Sequence, residues 1–340
     1  MTNRIHSIGC SRRKFLTGAA AAGLAGGVAS PAITQTLTKV AFQLSWIRAV
    51  QYGGYFAAQE FGHYREVGID PDFMAGGPNI DGINTVAAGN ALLGDRPSDQ
   101  IIIARGRGVP VKIIGAVYQR SPGGVMSLKS KPLRSIQEFP GKTIAVPAGV
   151  RQALSAHMKT VGLDPDTVNF VPVGTDPGIL ITGQVDGYYG SWTNQGMMIK
   201  TRGIDIDILF MEDLGSNIYG GAIYTLDKTI ATERDLLKRF LQASVRGFQY
   251  MLDHPRETAE LTVTKYAAPG QNLQAQIADA ESSRDFIRAR EGASKGLLWV
   301  SADYLAPMIP RGLQTGMIQR PFAIGDLVDD SLIREVHTKA

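Results

Sequence analysis

From residue 36 onward, short β-type apolar runs alternate with segments whose apolar positions recur at helical spacing, the pattern of parallel sheets covered by helices. Residues 39–44 predict a first strand and 55–66 the helix that follows. A turn at 68–71, a strand at 72–74, a helix at 80–88 and a strand at 91–95 come next. Ser98 is positioned to cap the helix carrying Ile101, Ile102 and Ile103, because a serine oxygen accepts from the free amides of a first turn. The stretch 111–117 is apolar apart from Lys112 and predicts a strand buried on both faces.

A second series repeats the alternation. Strands are predicted at 143–146, 168–171, 185–189 and 206–210, with helices at 151–160, near Ile179 and at 194–202. Residues 222–226 read as a return strand. The chain then turns helical: Leu236, Leu237, Phe240, Leu241, Val245 and Phe248 fall on one stripe of 233–252, and Pro255 opens a further helix. About 300 residues exceed one compact core and suit two domains. The pattern alone leaves open whether two such lobes form a binding protein or an enzyme.

Residues 1–34 follow a different pattern. Arg4, Arg12, Arg13 and Lys14 form a basic start, 15–28 an apolar run rich in Ala and Gly, and Ser30 and Ala32 a small-x-small cleavage spacing. Ser11-Arg12-Arg13-Lys14-Phe15-Leu16 resembles the twin-arginine export motif. The run is shorter than the roughly 20 apolar residues of a membrane-spanning helix, so a cleaved signal and a periplasmic protein are expected. This segment also carries the charge excess. The whole chain has 35 Lys+Arg and 31 Asp+Glu. With the four basic residues of 1–34 set aside, thirty-one bases face 31 acids, which leaves no basic footprint for nucleic acid. The single cysteine, Cys10, lies there too, so the remainder offers no disulfide, thiolate nucleophile or cysteine metal site.

No phosphate loop, dinucleotide fingerprint or nucleophile elbow appears. His63, His157, His254 and His337 are widely spaced, which points to surface or capping histidines rather than metal ligands. Polar and aromatic clusters instead follow the predicted strands, where open α/β sheets place ligands. The first spans Ser45 to Tyr55 and includes Trp46, Gln51, Tyr52 and the pair Gly53-Gly54, which would let backbone approach a ligand. Others are 94–98, 118–124, 147–152, 188–194 and 216–219. Either a ligand wall or a core aromatic fits Trp46 and Trp192 at this point.

The order of several strings is similar to one family. Ser45-Trp46 leading into Gln51-Tyr52-Gly53-Gly54-Tyr55-Phe56-Ala57-Ala58, then 62–70, 105–111, 119–122, 141–146 and 183–187, resembles periplasmic solute-binding proteins of ABC importers. The branch is the one for thiamine-pyrimidine precursors, sulfonates and nitrate. The resemblance implies a two-lobed α/β periplasmic-binding-protein fold of type II, with two crossover strands. Lobe one would be 36–127 plus 224–340 and lobe two 128–223, with crossings at 125–128 and 220–224.

Further implications are a small-molecule ligand, an ABC permease and its ATPase as partners, a monomer without membrane insertion, and no cofactor or metal. Carried onto this chain, the ligand would meet Trp46, Tyr52, Tyr189 and Trp192 as flat faces, and Gln51, Gln119, Asn194 and Asn217 as donors and acceptors. Ser98, Ser121 and Tyr219 would add hydroxyls, and Arg96 and Arg120 would serve an anion. These imply a planar heterocycle such as a thiamine-precursor pyrimidine, with an alkanesulfonate, taurine or nitrate as the alternative. At 95–98 the chain departs from the branch's usual Ser/Ala-Asp string, which puts that contact in question. A pyrimidine synthase-like enzyme on the same scaffold is the remote rival. The fungal form uses a cysteine-rich segment and a histidine, and residues 35–340 hold no cysteine.

Overall fold

A computed structural model describes residues 36–338, and the expected export signal lies outside the described residues. Ten strands form two five-stranded sheets. The first contains β1 (Thr38–Gln43), β2 (Ile69–Met74), β3 (Leu93–Arg96), β4 (Val111–Ala116) and β10 (Ala222–Leu226), in the order β2-β1-β3-β10-β4. The second contains β5 (Gly123–Leu128), β6 (Thr143–Val146), β7 (Asn169–Pro172), β8 (Gly187–Ser191) and β9 (Ile206–Phe210), in the order β7-β6-β8-β5-β9. Each sheet with its helices is one lobe.

Both sheets share one plan. β1 runs parallel to β2 and β3, and β6 parallel to β7 and β8. The antiparallel member is the first strand after a crossing: β10 against β3 and β4, and β5 against β8 and β9. The crossings themselves run through 117–122 and 211–221, so 125–128 lies inside β5 rather than between lobes. The two passages are tied together, with the Val117 amide donating to Gly221 O (2.9 Å) and the Gly220 amide to Tyr118 O (3.1 Å).

Local sequence accounts for the departures from the expected elements. The helix at 55–66 is split: Gly53–Glu60 ends, Gly62 takes φ 77°, and His63–Glu66 begins anew, since a left-handed residue closes a helix most cheaply at glycine. β2 begins at Ile69 and includes Pro71, which an edge strand tolerates because one N–H side is unpaired. Gly54 does not approach a ligand. A methyl there would strike the Phe248 ring, and one at Gly247 would strike the Gly54 carbonyl, so this pair lets Gly53–Glu60 pack tightly on Arg234–Asp253. On that long helix Leu236, Leu237, Phe240, Leu241 and Phe248 are buried against the first sheet, while Val245 is half-buried at its margin. Among the described residues, no helix is long and apolar enough to cross a membrane.

Candidate ligand-binding cleft

The loops after β1, β3, β6 and β8 meet the two crossings around a cavity of about 160 Å³. Its walls are aromatic: Trp46, Tyr52 and Tyr55 from the first lobe, Tyr118 from a crossing, Tyr188 and Tyr189 from the second lobe. Burial pushes the phenols of Tyr52, Tyr55, Tyr118, Tyr188 and Tyr189 up, so all are neutral hydroxyls at ordinary pH. Among the described residues that line the cavity there is no Lys, Arg or His.

Asp95, at the end of β3, brings a carboxylate to the cavity while only 5% exposed. Its Oδ1 accepts from the Ser45 amide and its Oδ2 from the Ser45 hydroxyl, both at 2.9 Å. Because Ser45 Oγ donates to Asp95, the Tyr52 hydroxyl donates to Ser45 Oγ (2.9 Å) and accepts from the Trp46 amide (2.8 Å). This chain of bonds locks the loop after β1. Burial raises the Asp95 carboxyl to about 6, partly offset by the two Ser45 bonds and the charge of Arg96. At neutral pH it is mainly ionised.

Of the expected ligand residues, Trp46, Gln51, Tyr52, Ser121 and Tyr189 line the cavity. The other eight lie elsewhere, each engaged by its own surroundings. Arg96 turns out of the cleft to the Ile80 carbonyl and to Gln100 Oε1 (3.2 Å). Ser98 does not cap its helix. Its Oγ accepts from the Tyr219 amide (3.0 Å), fastening a crossing to the first lobe. Tyr219 is itself buried, with its hydroxyl accepting from the Ser301 amide (3.1 Å). Gln119 Nε2 donates to the carbonyls of Ala116 (2.9 Å) and Trp299 (2.6 Å). Arg120 pairs with Glu212 (2.5 Å) and lies over the Phe210 ring, so it is held away from any anion in the cleft. Trp192 packs its edge on Phe210 and joins the core. Asn217 Nδ2 donates to Tyr304 O (3.0 Å), and Asn194 Nδ2 to Asp279 Oδ2 (2.9 Å).

Several of these contacts join the lobes. Asn194 follows β8, whereas Asp279 sits on Leu273–Ile287. Arg290 and Arg120 share Glu212 of a crossing. Arg311 donates to Leu214 O and Gly215 O, and its guanidinium meets His157 Nδ1, all at 2.7 Å. His157 is therefore not a surface histidine. It is buried, bonded to Ser216 Oγ at 2.8 Å, and burial with the neighbouring Arg311 holds it at about 4, hence neutral. Ser45, Tyr55, Asp95 and Tyr118 lie within the predicted clusters but are not among the residues assigned to the ligand, and Gln195 lies one residue beyond the cluster at 188–194; all five line the cavity. Asp95, Tyr118 and Gln195 are immediate neighbours of residues that were singled out: Arg96, Gln119 and Asn194.

A family model described as NMT1/THI5 like matches residues 49–258, from the loop after β1 through both crossings and the long helix. The chain belongs to this family. Among curated relatives of this NMT1/THI5-like chain, the riboflavin-binding protein RibY of Chloroflexus aurantiacus is 26% identical over 69% of the chain and 68% of its own length. A formylaminopyrimidine-binding protein of Halalkalibacterium halodurans is 24% identical over 68% and 71%. A protein named 4-amino-5-hydroxymethyl-2-methylpyrimidine phosphate synthase, from Legionella pneumophila, is 22% identical over 68% and 74%. The fold is the periplasmic-binding-protein fold. The ligand-binding component of an ABC-type import system of Staphylococcus aureus superposes with a TM-score of 0.65 at 13% identity, over 88% of this chain and 99% of that one. Among the described residues of the NMT1/THI5-like chain, no three His, Cys, Asp or Glu side chains are grouped as metal ligands.

Proposed function

We propose that this chain is the solute-binding component of an ABC import system and carries a small planar heterocycle, a thiamine-precursor pyrimidine or a close relative. In this role it acts in the periplasm, as a monomer, and hands its ligand to a permease driven by an ATPase. The twin-arginine string at 11–16 is the proposed route there. The observation that carries the ligand class is the cleft's chemistry: aromatic walls, no lining cation, and the Asp95 carboxylate. Tyrosine and tryptophan faces suit a flat ring. A sulfonate or nitrate would instead face the Asp95 carboxylate, and two unit charges 4 Å apart repel by about 4 kcal/mol for an effective dielectric of 20. The chain's two relatives named as binding proteins point the same way. The synthase-named relative makes catalysis on this scaffold the rival reading, and the described lining residues include no histidine.

Thermal-shift and calorimetric screening of the purified chain tests the reading. The panel is 4-amino-5-hydroxymethyl-2-methylpyrimidine, formylaminopyrimidine, riboflavin, taurine and nitrate. Stabilisation by a heterocycle at micromolar affinity, roughly −8 kcal/mol, is expected. A response only to taurine or nitrate would overturn it.

A further inference from the structure

Besides the Trp46 indole N–H, which has no partner, two polar groups of the cleft lining are left short of partners by the protein itself. The Tyr55 ring is 1% exposed and wedged among Phe42 (5.0 Å), Phe73 (5.5 Å) and Phe248 (4.9 Å). Its hydroxyl is buried and has no hydrogen-bond partner, and Tyr55 lines the cavity. The ring cannot swing away to find one, because the surrounding aromatic core fixes it. Asp95 is similarly fixed by β3 and Ser45, yet each of its oxygens accepts only one bond and keeps a free lone pair. The two groups are near enough that the Asp95 charge acts on the Tyr55 phenol. A buried polar group without a partner is costly, so a site of this kind is completed by its ligand.

Building on the planar-heterocycle reading, we propose that Asp95 and the Tyr55 hydroxyl form a specificity floor for an amidine edge, an exocyclic amino group beside a ring nitrogen. The amino group donates to Asp95, and the Tyr55 hydroxyl donates to the ring nitrogen. A lactam edge also sets N–H beside an acceptor, but its N–H lies in the ring directly beside a carbonyl oxygen, and between two in riboflavin, and those lone pairs would face the carboxylate. The amino group has two N–H bonds and no such neighbour on its outer side. With no Lys, Arg or His among the described lining residues, and with Arg96 engaged by Ile80 and Gln100, no lining cation pairs with that carboxylate. The floor thus selects aminated rings over their oxo counterparts, as sites built to hydrogen-bond a ligand reject analogues that leave a buried group unpaired.

The test is calorimetric titration of the purified chain with 4-amino-5-hydroxymethyl-2-methylpyrimidine, its 4-oxo counterpart and riboflavin. The amino compound should bind at least tenfold tighter than either. Tyr55→Phe should weaken it about tenfold without lowering the melting temperature of the ligand-free chain, since the hydroxyl makes no bond within the protein. Asp95→Asn should bring the amino and oxo compounds to within about threefold, because a carboxamide can serve either edge. Equal binding of amino and oxo rings by the unaltered chain would overturn the floor while leaving the heterocycle reading intact. So would a tenfold preference for riboflavin, or unaltered binding by Tyr55→Phe. Binding of taurine or nitrate alone would overturn both. If Asp95→Asn does not fold, the ligand pair and Tyr55→Phe decide the matter.

Discussion

In the first lobe Phe42, Tyr64 and Phe240 belong to one continuous core that runs from the sheet into the C-terminal helices. In the second, the sheet divides a smaller core in two, with Leu154 and Phe139 in one cluster and Leu180 and Tyr188 in the other. The first core is also knit by stacked rings, Phe42 on Phe240 at 5.4 Å and Tyr64 on Phe240 at 5.1 Å. Edge strand β7 of the second lobe, by contrast, has no fully buried residue. The sheet plan is shared, but the heavier lobe holds Ser45, Tyr55 and Asp95 through its own core and the Ser45–Asp95 bonds. The lighter lobe brings Tyr189 and Gln195, and the crossings between them are short segments of the kind that absorb hinge rotation. A ligand that lands on the first lobe and is covered by the second fits this asymmetry.

The largest expected effect tests the cores directly. Phe240→Ala should cost about 3–5 kcal/mol and Leu180→Ala about 2 kcal/mol, the ends of the range for truncated core side chains. Urea unfolding measures both, and equal losses would remove the energetic meaning of the comparison. Next come the two tryptophans. Trp46→Ala should weaken ligand binding by about 1–3 kcal/mol, the scale of a lost stacking face. Trp192→Ala should lower the melting temperature and leave affinity nearly unchanged, because its ring packs on Phe210 and not in the cavity. The opposite outcome would exchange their roles.

Asn194→Ala probes the contact between the lobes. It takes the Asn194 donor from the buried Asp279 carboxylate wherever the two lobes meet, leaving it to Ser283, at a cost of about 1–3 kcal/mol. Ligand affinity should therefore fall while unfolding of the ligand-free chain changes little. An equal fall in both would make the contact ordinary packing.

The smallest effect is the dependence on pH. Burial raises the carboxyls of Asp95, Asp99 and Asp279 to about 6 from an ordinary 3.8. Between these values the folded chain holds protons that the unfolded chain has lost, so stability rises as pH falls through about 6. His157, held at about 4 against an ordinary 6.5, opposes this because the unfolded chain takes up its proton first. His63, which burial also holds below its ordinary value, acts in the same sense, and three buried carboxyls against two histidines leave a net gain. The melting temperature of the ligand-free chain should climb from pH 7 to about pH 5, and Asp279→Asn should flatten the climb. A steady fall over that range would show that these aspartates are not held protonated.

Much of this architecture is written in local periodicity. Alternation and apolar runs are enough to find nine of the ten strands, all but β5, to mark β4 as buried on both faces, and to set the long helix with its stripe of Leu236, Phe240 and Phe248. Turn chemistry was legible in part. Gly183 ends its helix as its position suggests, whereas the break at Gly62 needed the His63–Glu66 turn to be seen against the first sheet. The strings at 45–55 and 188–194 marked the right loops of the cleft.

Which residue of each string faces the cavity was decided only by tertiary structure. Asp95 lines it and Arg96 does not; Tyr118 and Ser121 do, while Gln119 and Arg120 between them turn away; Gln195 does, while Asn194 reaches Asp279. Along a strand one step reverses the side chain, and in the wide π-type turn at Trp192–Gly196 one step rotates it far enough to change neighbours. Periodicity is a property of the segment alone. Its phase is set by the partner it packs against, and for this cleft the partners are the other lobe, the crossings, and helices far away in the sequence.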